Sequence, residues 1–278
     1  MAGVASTADG VAVIGGGNLG EALLTGLLRA GFRTPGQVAL VELDQARARR
    51  LRDTPGLTLA RDAGQAADRA RTLVLAIKPY QVDAVLADLA GRVTEDHLIV
   101  SVVGGVPIER IEKGLGVAAA VVRCMPNTAI GVGAGVTAIS PGAGVDPHEV
   151  ELVRGLFESV GDVVQVPQTQ LDAVTALSGS GPAYLLLVAE ALTDAGVLLG
   201  LPRPLSEWLV DRTVAGAGTL LRESSDDAVR LRAAVSSPGG TTVAALRQLE
   251  ERGVRAAMIA AAEAARDRSV ELSRWEGQ

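Results

Sequence analysis

The stretch "VAVIGGGNLGEAL", residues 11–23, decides the fold. Its opening run "VAVIG" is apolar without polar alternation, the mark of a strand buried on both faces. Gly15, Gly17 and Gly20 follow in G-x-G-x-x-G spacing, and the helical pattern "NLGEALLTGLLRAG" (18–31) starts within the motif. Gly15 permits a tight turn, and Gly17 lets backbone approach a pyrophosphate. Gly20 lets helix and strand pack closely, and the helix N-terminus adds free N–H groups and a positive dipole. The plain alternative is a glycine-rich turn in a nucleotide-free sheet. Strand, loop, helix and next strand all fall where a dinucleotide-binding unit requires them, which favours the nucleotide.

Working outward, "VALVE" (38–42), "TLVLAI" (72–77), "HLIVSVV" (97–103) and "AAAVVRC" (118–124) read as further buried strands. Helical patterns such as "YQVDAVLADLAG" (80–91) separate them. The alternation predicts a parallel sheet with right-handed crossovers. After "VVQVP" (163–167) no convincing strand remains. Helical runs are expected at 169–178, 182–199, 204–222, 226–235, 242–251 and 254–273, broken at "SGSGP", "GLPRP" and "SSPGG". The reading is an α/β protein: an N-terminal Rossmann dinucleotide-binding domain at 1–167 and a C-terminal all-helical dimerisation and substrate-binding domain at 168–278. Segments such as "VAGAGTLL" (214–221) and "AAMIAAAEAA" (256–265) are apolar over more than one helical face. They ask for more burial than a small bundle offers, so a homodimer through this domain is expected.

The bulk composition excludes several classes. The 26 basic and 32 acidic residues give a net charge of −6, which speaks against nucleic acid or an anionic membrane as main partner. A single cysteine, Cys124, leaves no intrachain disulfide and suggests a reducing cytoplasm. The start, "MAGVASTADG", lacks the basic and apolar regions of a leader. The lipophilic run "AYLLLVA" (183–189) is short of a membrane span. Two scattered histidines and one cysteine make no metal cluster, so no metal is expected.

Two segments near the glycine loop bear on the cofactor. Glu42 ends the second strand, where an acid accepts hydrogen bonds from the adenosine ribose hydroxyls and repels a 2′-phosphate; it leans toward NADH. Arg47, Arg49 and Arg50 stand within reach of a 2′-phosphate if the next helix starts near Asp44, or else form a solvated helix face. "AIKPYQ" (76–81) ends another strand on the cofactor side. There Lys78 either touches ribose or phosphate or is incidental to an edge loop.

The helical half is defined by what it lacks. A ketone reductase supplies a proton from His, Lys or Tyr. The only lysines are Lys78 and Lys113, and the only histidines are His97 and His148, both in turn settings. Tyr184 sits in an apolar helix and reads as packing. A 3-hydroxyacid dehydrogenase therefore lacks its lysine. A protonated imine needs no such acid: it needs a hydride, a hydrogen bond to nitrogen and an anchor for its far end. "SSPGGTTVAALRQLEERG" (236–253) offers such an anchor. Its glycines expose backbone N–H groups, the following helix has a positive end, and Ser237, Thr241 and Thr242 add hydroxyls. An ordinary helix cap would use one hydroxyl and one glycine, and this run has more.

These residues match a known family. "IGGGNLGEAL", "AIKP", "RCMPNTAIGVGAG" (123–135), "DAVTALSGSGPAYLLLVAEALTDAGVLLGLPR" (172–203) and "VSSPGGTTVAALRQLEERGVRAAMIAAAEAA" (235–265) resemble the pyrroline-5-carboxylate reductases over nearly the whole chain. The resemblance implies reduction of 1-pyrroline-5-carboxylate to L-proline by NADPH or NADH, the last step of proline biosynthesis. It implies interlocked dimers that assemble into rings such as a decamer. Ser237, Gly239, Gly240 and Thr241 would hold the substrate carboxylate, and Thr242 the ring nitrogen. Gly15, Gly16, Gly17, Asn18, Leu19, Gly20, Ala76, Ile77, Lys78, Pro79, Val103 and Gly104 would contact cofactor. Met125, Pro126 and Asn127 would line the crevice near the nicotinamide. Two positions depart from many members: Glu42 stands where a small polar residue is frequent, and Ala63 where some relatives carry an asparagine. Reduction of a related cyclic imine, or a non-catalytic NAD(P)-binding regulator, are the competing expectations.

Overall fold

The computed structural model describes residues 10–52 and 57–274; the start "MAGVASTADG", read from sequence as no leader, lies almost wholly outside the described residues. The chain divides into two compact units. One takes everything up to Ser180 together with the stretch from Ala264 onward, and the other is Gly181–Glu263.

The first unit is built on an eight-stranded sheet. Its strands are β1 (Val11–Ile14), β2 (Val38–Val41), β3 (Thr58–Ala60), β4 (Thr72–Leu75), β5 (Leu98–Ser101), β6 (Ala120–Met125), β7 (Gly135–Pro141) and β8 (Gly161–Gln165). They lie in the order β3-β2-β1-β4-β5-β6-β7-β8. The chain winds one way from β1 to β3 and then the other way from β4. The order therefore reverses between β1 and β4, the crevice where such sheets bind ligands. The first six strands are parallel, but β7 runs antiparallel to β6 and carries β8 with it. The all-parallel expectation is corrected here. A parallel return needs a crossover of about a dozen residues or more, and the link between β6 and β7 holds only one short turn, Thr128–Val132. Strands β3 and β7 were not anticipated from sequence. One is three residues long, and the other is bounded by glycine and proline.

Helices cover both faces. Ile14, Leu75, Ile99 and Val121 face α3 (Ala63–Ala67), α4 (Val82–Leu89) and α5 (Ile108–Leu115). Val13, Leu40, Val74, Val100 and Val122 face α1 (Asn18–Arg29), α2 (Gln45–Arg52) and α6 (Pro147–Glu158). Each fully buried Leu or Ile contributes about 1.5–3 kcal/mol. Cys124 lies in the second layer, and burial pushes its thiol well above the ordinary range.

The last strand ends at Gln165, and every later element is helical. Packing, however, divides elsewhere. Helix α7 (Leu171–Val174) and its π-turn Thr175–Gly179 belong with the sheet unit, as does the end of α12 (Val254–Arg274). Leu171 and Ala176 are buried, and Ser269 donates to Asp172 Oδ1 at 2.7 Å. Composition could not show this, because these residues continue an unbroken helical pattern.

The second unit holds α8 (Gly181–Leu198), α9 (Arg203–Glu223), α10 (Ala228–Ala234), α11 (Thr241–Glu251) and the first part of α12. Helices α8 and α9 meet where Gly196 leaves room for Ser206, whose hydroxyl bonds Thr193 O at 2.8 Å. Leu185, Leu186, Leu187, Leu192, Leu220 and Leu221 remain exposed. The helical run Gln168–Leu198 is long and apolar enough to cross a membrane by length and composition, so the seven-residue run weighed from sequence understated it.

Candidate active site

In the sheet unit, the residues singled out around the glycine loop come to one edge. Gly15–Gly20, Glu42, Ala76–Pro79, Val103–Gly104 and Met125–Asn127 follow the carboxyl ends of β1, β2, β4, β5 and β6. Gly15 N–H bonds Val41 O at 2.9 Å, and Ala76 N–H bonds Ile14 O at 2.8 Å, which ties the three loops beside the crevice. Gly15 has φ +106°, and a Cβ there would run into Ala76 O. A Cβ on Gly20 would run into Gly15 O. The loop can lie this close to α1 only with glycine at both positions.

The outer side of the same loop is open. A Cβ on Gly17 would meet only Arg47 Nη1, at 3.6 Å, and one on Gly104 would meet nothing within 4 Å. Gly17 caps α1 without any side-chain bond, and the first intrahelical bond comes from Glu21 N–H to Gly17 O. The N–H groups of Asn18, Leu19 and Gly20 are thus left for a ligand. A pyrophosphate fits this cradle in charge and in space.

Beside the cradle, Asp44 caps α2 by accepting from Ala46 N–H and Arg47 N–H, both at 2.9 Å. The Arg47 amide, above all, holds the Asp44 carboxyl below its usual value. The helix therefore starts at Gln45, which meets the condition set for Arg47, Arg49 and Arg50. Arg47 turns to Glu42 at 3.8 Å, and Arg50 pairs with Glu21. Lys78 is exposed at the head of its loop, with its backbone N–H on Gln81 Oε1 at 3.0 Å. Asn127 Oδ1 accepts from Ala129 and Val136, so this side chain shapes the turn after β6. Ala63 is buried against the sheet, its N–H on Asp88 Oδ2 at 2.7 Å.

In the helical unit, the 236–242 turn ends on α11. Gly239 has φ +71°, which favours glycine, and Gly240 N–H bonds Ser237 O at 3.0 Å. Gly240 is the N-cap of α11 and offers no side-chain cap. The first intrahelical bond is Ala244 N–H to Gly240 O at 3.2 Å. Thr241, Thr242 and Val243 therefore keep free amides at the positive end of the helix. Ser237, Gly239 and Thr241 are exposed, and Thr242 is half-buried. The turn thus brings together uncapped amides and two threonine hydroxyls with no ionisable side chain in 236–242. Tyr184 Oη, on α8, is buried and has no hydrogen-bond partner among the described residues.

Sequence reasoning passed over Arg123, inside β6 and only 5 % exposed. Burial pulls its guanidinium down, while the charges of Asp172 and Glu109 offset part of that effect. Its signal was one basic residue in an otherwise apolar strand. The histidines do turn work: His97 Nδ1 accepts from Thr94 N–H at 3.0 Å, and His148 N–H bonds the α6 cap Asp146 at 2.7 Å. Among the described residues no cluster of His, Cys, Asp or Glu suited to a metal is present.

Residues 168–272 match the family of pyrroline-5-carboxylate reductase dimerisation domains. Residues 10–105 match the family described as NADP oxidoreductase, coenzyme F420-dependent. A pyrroline-5-carboxylate reductase of Mycobacterium tuberculosis is 45 % identical, with 94 % of this chain and 96 % of that one aligned. One of Corynebacterium melassecola is 43 % identical over 95 % and 98 % of the two chains. The crystal structure of Plasmodium falciparum pyrroline carboxylate reductase with NADP bound superposes with a TM-score of 0.87, at 28 % identity over 95 % and 98 %. The chain belongs to the pyrroline-5-carboxylate reductase family.

Proposed function

We propose that this protein reduces 1-pyrroline-5-carboxylate to L-proline with NADPH or NADH, and that it works in the cytoplasm. The carrying observation is the uncapped start of α11, a carboxylate seat built without any acid or base. We assign 1–167 to dinucleotide binding and 168–278 to substrate binding and dimerisation. The α1 amides and the open side of Gly17 hold the pyrophosphate, with Ala76–Pro79, Val103–Gly104 and Met125–Asn127 along the remainder of the cofactor.

When bound, the reduced nicotinamide supplies a hydride to the imine carbon. The chain's own part is binding and orientation. Ser237, Gly239, Gly240 and Thr241 hold the carboxylate, and the Thr242 hydroxyl accepts a hydrogen bond from the protonated ring nitrogen. The acceptor already carries its proton, so hydride addition yields the neutral secondary amine and leaves no alkoxide to protonate. This is why the helical half works without lysine or histidine. The exposed leucines of α8 and α9 fall within the dimerisation match and are taken to be covered by a second copy.

Absorbance at 340 nm, followed with pyrroline-5-carboxylate and each reduced cofactor, tests the reading. Substrate-dependent loss of absorbance is expected. Dinucleotide binding without oxidation would overturn the enzymatic reading, and turnover only with a different ring would move the substrate.

A further inference from the structure

Strands β7 and β8 leave part of one sheet face without a helical cover. β7 returns antiparallel through one short turn, so no crossover helix is laid over it on the α5 side. Helix α6, which joins β7 to β8, packs in the opposite layer. Beyond α5 a hollow of about 810 Å³ therefore opens over the carboxyl ends of β7 and β8, the size of a small-molecule site. All its walls belong to the sheet unit, and none is a residue assigned to the cofactor or to the pyrroline. Ile108, Pro141 and Val166 make it partly apolar, and among the described residues no lysine, arginine or histidine lines it.

Two carboxylates and one hydroxyl are turned to this hollow. Glu109 and Glu112 stand three residues apart on α5, on one side of the helix. Gln168 Nε2 donates to both Glu109 carboxylate oxygens, at 3.1 and 3.3 Å, while its Oε1 accepts from Ile108 N–H at 2.8 Å. Gln168 thus fixes Glu109 without neutralising it. The Glu112 carboxylate has no hydrogen bond or ion pair among the described residues. Ser140 stands opposite Arg123 in the β6–β7 register, so both face the α5 side. It is only 2 % exposed and lines the hollow, yet its hydroxyl has no hydrogen-bond partner among the described residues. A hydroxyl so buried calls for a partner. We propose that the hollow is a second binding site, which takes a small organic cation: an ammonium or guanidinium on a short aliphatic body. Glu109 and Glu112 meet its charge, the Ser140 hydroxyl oxygen accepts one of its N–H groups, and the apolar walls cover the aliphatic part. A metal ion fits less well, because the described residues hold no group of three His, Cys, Asp or Glu. Arg123 is not among the walls, and the charges of Asp172 and Glu109 are set against it.

Saturation-transfer NMR of the full chain with n-butylammonium tests this, with 1-butanol and butyrate as its neutral and anionic counterparts. Butylammonium is expected to bind with a Kd on the order of 1 mM, undiminished by added NADP⁺ and proline. Butanol and butyrate should bind at least about tenfold more weakly. Glu112→Gln keeps the shape and removes the charge, and should weaken butylammonium about tenfold. Ser140→Ala removes the waiting hydroxyl and should weaken it by a similar factor, with the native melting temperature in both variants. Glu112 is only half-buried on its helix, so its variant decides the matter even where Ser140→Ala lowers the melting temperature. Absence of saturable binding overturns the site. Equal binding of butanol or butyrate overturns the role of charge, and unchanged affinity in Glu112→Gln, or in a folded Ser140→Ala, overturns the placement. Displacement of butylammonium by NADP⁺ and proline puts the cation in the reaction site instead and overturns the second one.

Discussion

In the seat proposed at 236–242 single hydroxyls and amides carry the chemistry, because none of the residues assigned to it ionises. A hydrogen bond to a charged partner contributes about 1.5–3 kcal/mol. Thr242→Ala should therefore lower kcat/KM about 10- to 150-fold with an unchanged circular dichroism spectrum. An unaltered rate would remove Thr242 from the site. Gly20→Ala acts differently, by driving a methyl group into the Gly15 carbonyl. Backbone cannot yield as a side chain does, so stability should fall by about 2 kcal/mol or more and dinucleotide binding with it. Thermal melting and titration check both parts. Gly20 was legible in sequence, because spacing and residue type alone specify a glycine where two backbones touch. Arg123 was not. Its partners Asp172 and Glu109 lie far along the chain, and only the sheet brings their charges to face it. Asp172→Ala also removes the partner of Ser269, and should cost about 1–3 kcal/mol, read from denaturant unfolding.

At the scale of elements, the two helix starts proposed for binding both leave their caps empty. Gly17 and Gly240 make no side-chain cap, where Ser, Thr, Asp or Asn would serve stability better. Helix α11 offers a clean separation. Thr241 is its first residue, whose amide has no intrahelical partner, and Gly240 before it is extended, with ψ 170°. Proline is tolerated at such a position but removes the N–H. Thr241→Pro should change stability by less than about 0.5 kcal/mol. It should still raise KM for the pyrroline severalfold; unchanged KM would mean that this amide does not touch substrate. Helix α2, by contrast, is capped. Because Asp44 is depressed in the folded state, its contribution is complete above the ordinary value of 3.8. It is lost as pH falls through the lower folded value. A carboxyl titration followed by NMR should show that depressed midpoint, and Asp44→Asn, which has no group to titrate there, should remove the pH dependence that Asp44 contributes to stability.

Over the whole molecule, the exposed leucines of α8 and α9 ask for a cover. Light scattering should give an even multiple of the chain mass, and Leu186→Glu should lower it; a native mass of one chain would refute the dimer. What the sequence by itself determined is local and periodic. Apolar runs made the strands, G-x-G-x-x-G placed the cradle, and "SSPGGTT" marked a seat without ionisable groups. Each of these follows from steric or hydrogen-bonding rules that act within about twenty residues. Tertiary structure alone decided the reversal of β7 and β8, and the return of α7 and the end of α12 to the sheet unit. Those outcomes depend on which distant segments meet and on how short a link is. No window of the chain contains both partners of such a contact, so no periodicity records it.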